Sequence, residues 1–74
     1  MNAAQSIQTA KAILAELGYT SISEDLHTLL VGMVEEFGNI ECDELIITLE
    51  SELGLSHADL ENTEAYDECL ELYI

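Results

Sequence analysis

Two histidines, two cysteines and sixteen carboxylates are the side chains of this 74-residue chain with the clearest capacity for chemistry. His27 falls on the polar side of a helical repeat, and His57 falls in a loop or first helical turn. No Ser or Cys stands at a spacing that would pair it with either histidine as nucleophile and base. There is no Asp-x-Asp-x-Asp-Gly calcium loop and no His-Glu-x-x-His zinc motif. Acidic clusters of this kind gather Mg²⁺ or Ca²⁺ as counterions rather than at a built site. The expectation is therefore a non-enzyme with no catalytic residue, cofactor site or metal site. Cys42 and Cys69 are 27 positions apart, lack a Cys-x-x-Cys spacing and lie on apolar helical stripes. They read as buried packing residues that stay reduced in a cytosolic setting.

The carboxylates remain as the chemical feature to explain. The formal net charge is −15, Lys11 is the lone Lys and Arg is missing. Direct binding of a nucleic-acid backbone is excluded, because phosphate neutralisation needs several cations. An anionic membrane surface is equally unsuitable. At 49% hydrophobic residues the chain can form a core and is no disordered acidic tail. Glu24, Asp25, Glu41, Asp43, Glu44, Asp59, Glu61 and Glu64 lie in or beside first helical turns. There the helix dipole favours a negative charge by about 0.3–1 kcal/mol each.

That account covers half of the acids and does not explain the lack of counter-charges. Glu64, Asp67, Glu68 and Glu71 make a one-sign stripe at i, i+3, i+4, i+7, and Glu35–Glu36 and Glu50/Glu52 add to it. An ordinary solvated face mixes signs so that Glu and Lys pair at i, i+4. A chain that folds against its own field is expected to use that field on a basic partner. Glu35, Glu36, Asp43, Glu44, Glu64, Asp67, Glu68 and Glu71 are the expected contact residues. Helix neighbours three or four apart are separated by about 5–6 Å. Successive phosphates of one DNA strand climb about 3.4 Å. The expected partner is accordingly the basic surface of a nucleic-acid-binding protein, occupied by a DNA or RNA mimic. In size, charge and lack of catalytic motifs the chain resembles the small acidic inhibitors that phages make against host restriction and CRISPR enzymes. It is also similar to acidic immunity proteins that block toxic nucleases. The resemblance implies a non-enzymatic inhibitor in the host cytoplasm, or a toxin-neutralising immunity protein or antitoxin.

A second resemblance lies in residue order. Glu44–Leu55, Glu-Leu-Ile-Ile-Thr-Leu-Glu-Ser-Glu-Leu-Gly-Leu, resembles the body of the second helix of acyl carrier proteins. Ser56-His57-Ala58-Asp59-Leu60 looks like their short third helix, and Tyr73-Ile74 like the end of their fourth. The similarity spans roughly residues 36–74. Asn39, in Gly38-Asn39-Ile40, stands where the phosphopantetheine-bearing Ser is expected, and without a hydroxyl no phosphodiester can form. Residues 20–37, a long loop in carriers, read here as helix. The alternative function is a carrier-like interaction domain without a prosthetic group.

The elements that position these residues follow from apolar periodicity. Ile7, Ala10, Leu14 and Leu17 form one stripe, and Leu26, Leu29, Leu30, Met33, Val34 and Phe37 a second. Cys42, Leu45, Ile46, Leu49 and Leu53 form a third, and Tyr66, Cys69, Leu70, Tyr73 and Ile74 a fourth. Three stripes stop at Gly18, Gly38 and Gly54, as helix C-termini do. Ser21 with Glu24, Asn39, Ser56 with Asp59, and Asn62 or Thr63 are candidate N-caps. The spacing predicts helices over 4–17, 22–37, 40–53 and 63–73, with a short turn near 56–60. The fold class is all-α, a compact bundle of four helices with short Gly-capped connections, in one acidic domain over 1–74.

Gly32, inside the second helix, marks either a close helix contact or a solvated face. The start Met1-Asn2-Ala3-Ala4-Gln5 has neither a basic region nor an apolar run. The expectation is a cytoplasmic protein with no membrane partner. Residues 1–15 hold no acid, and the outer side of the first helix carries Gln5, Gln8, Thr9, Lys11 and Ala12. Packing between other helices explains that neutrality, and a homodimer seam is the alternative. Tyr19, Ile22, Val31, Ile40 and Ile47 fall off the main stripes, and some of them are expected at the surface.

Overall fold

A computed structural model describes residues 1–73. Those residues form five helices and no strand: α1 (Ala3–Glu16), α2 (Glu24–Phe37), α3 (Cys42–Leu53), α4 (His57–Glu61) and α5 (Glu64–Tyr73). All four long helices lie where the periodicity places them, and the expected turn near 56–60 is the short α4. Ile74, assigned to the fourth stripe, lies outside the described residues. None of the described helices is long and apolar enough to cross a membrane. The radius of gyration is 11.0 Å, close to the ~11 Å expected of a compact chain of this length.

Glycine ends two of these helices and follows the cap of a third. Gly38 (φ 87°) and Gly54 (φ 65°) occupy the C-cap positions of α2 and α3, and Gly18 (φ 96°) follows the C-cap Leu17 of α1. All three glycines have the positive φ that a Cβ would oppose. Gly32 meets nothing within 4 Å where its Cβ would be, so it marks a solvated face and not a helix crossing.

The N-termini differ in detail from the expected caps. Ser23, not Ser21, caps α2, accepting from the Leu26 amide at 3.1 Å. Asn39 caps nothing; the N-cap of α3 is Glu41, itself extended, which forms an all-acid capping box with Glu44. Asn39 and Ile40 therefore separate Gly38 from that cap. Ser56 is the N-cap of α4 but makes no side-chain cap bond. Thr63 is the residue that starts α5: its hydroxyl accepts from the Tyr66 amide and donates to the Leu60 carbonyl. At α1, Asn2 and Gln5 form a neutral capping box.

α1 is the central element, packed against α2, α3 and α5, while α3 also packs on α4 and α5. The core draws Ala10, Ile13 and Leu14 from α1, Leu26 and Leu30 from α2, and Leu45, Ile46 and Leu49 from α3. Leu60 plugs the short α4 into it, and Tyr66 and Cys69 supply the inner side of α5. Truncating one such Leu or Ile to Ala costs about 2–5 kcal/mol, since packed interiors only partly close the hole. Ser6 is fully buried and satisfied by the Ala3 carbonyl at 2.9 Å.

Three apolar placements depart from the stripes. Ile40, which falls off the main stripes, is fully buried. Its amide donates to the Met1 carbonyl at 3.0 Å, and the Met1 amine donates to the Ile40 carbonyl at 2.7 Å. These two hydrogen bonds hold residue 40 against the N-terminus, with its side chain in the core. Phe37, expected on the core stripe, is 65% exposed, because α2 packs chiefly on α1 and its last residue overhangs that contact. Tyr73 is also exposed, at the end of α5. Tyr19 and Ile47 reach the surface, whereas Ile22 and Val31 are half-buried.

The cysteines require a further correction. Both are buried, but they are not separate thiols: Cys42 and Cys69 form a disulfide with Cα atoms 6.3 Å apart. Cys42 opens α3, Cys69 lies on the inner side of α5, and packing of these helices brings the sulfurs together. The separation falls within the 4.4–6.8 Å range that such bridges need.

Candidate functional site

The acidic residues occupy both ends of the helices. First-turn placement suits the dipole at Glu24, Asp25, Asp43, Glu44, Glu64 and Asp67. Last-turn placement opposes it. Glu16 ends α1, Glu35 and Glu36 lie in the last turn of α2, Glu50 and Glu52 in that of α3, and Glu71 in that of α5. No described helix has a basic residue in its last turn. Each exposed carboxylate so placed costs up to about 1 kcal/mol at low salt.

Some of these charges have structural work. The Glu16 carboxylate accepts from the Glu64 and Ala65 amides, both at 2.8 Å, and so caps α5 from the end of α1. His57 joins α3 to α4: its Nδ1 meets Glu50 Oε2 at 2.9 Å, and its Nε2 pairs with Glu61. The Glu50 hydrogen bond raises the imidazole pKa from its ordinary value, and the charges of Glu61 and Glu50 assist. The i, i+4 spacing of His57 and Glu61 was visible in the sequence; the approach of Glu50 from the preceding helix was not.

Of the eight expected contact residues, the structure gathers some and separates others. Asp43 and Asp67 flank Tyr66 at the contact of α3 and α5, with Glu61 of α4 close enough to act on the same phenol. Glu68 lies on the other flank of α5, beside an open groove against α1. Glu44 is half-buried and accepts from the Glu41 amide at 3.2 Å. Glu35 and Glu36 are exposed at the far end of α2, Glu64 is exposed at the start of α5 and Glu71 near its end. The acids thus cover several sides of the molecule instead of one stripe.

The phenol of Tyr66 donates to Asp43 Oδ1 at 2.8 Å. That bond, then burial, then the surrounding carboxylates push its pKa up to about 12. The only ion pairs among the described residues are those of His57 with Glu50 and Glu61, and Lys11 joins none. Among the described residues no group of three or more His, Cys, Asp or Glu side chains is disposed to hold a metal ion. His27 is exposed on α2 and lines an open groove over α1. Comparison with protein-family models, with curated proteins and with solved structures returns no match.

Proposed function

We propose that the chain is a non-enzymatic acidic binding protein that inhibits a nucleic-acid-binding protein by occupying its basic surface. The observation that carries this reading is the placement of unpaired carboxylates where they work against the helix dipole. Glu35, Glu36, Glu52 and Glu71 all sit in last turns, exposed and with no cation beside them. Stability alone would favour Lys there, so the charge is kept for an external partner. The scale is suitable: the molecule is 28 Å in its longest dimension, about eight phosphate steps of one DNA strand. In this reading α1, α2, α3 and α5 act as a four-helix bundle that holds the charges in place. Long-range attraction speeds encounter with the basic target and fades with added salt.

The test is capture from a bacterial lysate on immobilised protein, with DNA or RNA as competitor. Recovery of a nucleic-acid-binding protein that is released by competing nucleic acid supports the proposal. Recovery only of fatty-acid or polyketide enzymes points to the carrier-like alternative and defeats it. Neutralisation of a co-expressed toxin without nucleic-acid competition assigns the chain to the immunity-protein or antitoxin reading.

A further inference from the structure

The carboxylates that cover the molecule leave one face free. Among the described residues, α1 is the only long helix without an acid in its first turn. Its capping box is built from Asn2 and Gln5, whereas α3 closes the same motif with Glu41 and Glu44. The dipole would favour an acid at either place, so the neutral box at α1 keeps charge off this surface. The inner side of α1 is taken up by Ser6, Ala10, Ile13 and Leu14. The outer side, with Ala4, Gln8, Lys11 and Ala12, is exposed. Ala4, Gln8 and Ala12 recur every fourth residue, so they form one ridge.

An open groove flanks this ridge on each side. One, of about 360 Å³, lies against α5 and is bounded by Glu68, Leu72 and Tyr73. The other, of about 630 Å³, reaches Ile7, Lys11 and His27 on the α2 side. Leu72 is 63% exposed at the edge of the first.

We propose that this face pairs two copies of the chain. A second copy carries the same −15 charge and is repelled wherever carboxylates meet carboxylates. The α1 face is the surface through which it can approach. The face is also self-complementary in charge. Lys11, the sole Lys or Arg, stands on the α2 flank of the ridge, and Glu68 stands on the α5 flank. A two-fold axis parallel to α1 sets the α2 flank of one copy against the α5 flank of the other. Lys11 of each then faces Glu68 of the second copy, as an isologous interface requires. The ridge of each copy seats in a groove of the other, and Leu72 is covered. The pairing assigns Glu68 to the seam and leaves the other acidic residues free for the target, and a monomer that still captures its target would sink this inference alone.

The test is sedimentation equilibrium across a concentration series. The expected species is a reversible dimer of twice the 8.1 kDa chain mass. Ala12→Glu places a carboxylate on the ridge at an exposed helical position and should weaken association about tenfold or more, with helicity by circular dichroism unchanged. Lys11→Glu should weaken it likewise, and Lys11→Glu with Glu68→Lys should restore it. A monomer at all concentrations overturns the proposal. So does a dimer indifferent to Ala12→Glu, or one that Lys11→Glu weakens but the exchanged pair fails to rescue.

Discussion

Tyr66 and Asp43 join α5 to the first turn of α3 through a 2.8 Å hydrogen bond from the phenol to the carboxylate, next to the Cys42–Cys69 bridge. An ionised phenol cannot donate that bond and would face Asp43, Asp67 and Glu61 together. The Tyr66 pKa is accordingly pushed up to about 12. Because the folded value lies above the ordinary value near 10, the stability this contact adds is intact below about pH 10 and is lost as pH rises through about 12. Ultraviolet titration should show one of the three tyrosines ionising near that upper limit or only on unfolding. Asp43→Asn should lower its midpoint, and Tyr66→Phe should remove the component.

His57 gives the opposite end of the pH range. Its pKa is raised, first by the Glu50 hydrogen bond. A raised histidine pKa means stability that is complete below about pH 6.5 and lost as pH climbs through the folded value. Proton NMR of the two histidines should find a His57 midpoint above 6.5 that falls in Glu50→Gln. A His57 midpoint at or below 6.5 would show that the α3–α4 clasp does not form in solution.

Gly32 and Gly38 should respond in opposite directions to the same change. Gly32 is exposed within α2, with open space at its Cβ, so Gly32→Ala should raise stability by about 0.5–1 kcal/mol. In a domain of this size that raises the melting temperature by roughly 2–8 °C. Gly38 has φ 87°, and Gly38→Ala should lower stability by about 1 kcal/mol or more. Thermal melts of the two variants check both signs.

The disulfide should be a main contributor to stability. It closes a loop between residues 27 apart, which in the chain-entropy view adds about 3–4 kcal/mol. Reduction, or Cys42→Ala with Cys69→Ala, should lower the melting temperature by roughly 15–25 °C. Equal melting with and without reductant would show that the bridge does not constrain the unfolded chain.

What could be read from the sequence was what repeats locally. The stripes and the glycines at 18, 38 and 54 located every long helix, because period and φ are set by near neighbours. Contacts between distant segments were not legible. The carboxylate of Glu16 reaches amides 48 and 49 positions away, and Tyr66 reaches Asp43 across 23. The Met1–Ile40 pairing, across 39 positions, accompanies the burial of Ile40, which no apolar stripe includes. The cysteines lie on apolar stripes that periodicity shows, but their union depends on how α3 meets α5. For the candidate site, periodicity suggested one acidic stripe on the last helix. Packing divides it, with Asp67 beside Tyr66 and Glu68 over the α1 groove.

The proposed binding role of the unpaired carboxylates is tested on Glu35, Glu36, Asp67 and Glu71. Among the described residues, none of these four side chains accepts a hydrogen bond that holds the fold, unlike Asp43, Glu44 and Glu16. The measurement is the affinity of the captured partner for the native chain and for Glu35→Gln, Glu36→Gln, Asp67→Asn, Glu71→Gln combined, across a salt series. At least about a tenfold loss of affinity and a shallower salt dependence are expected, with the fold retained. An affinity and a salt slope unchanged by the four substitutions would contradict that role.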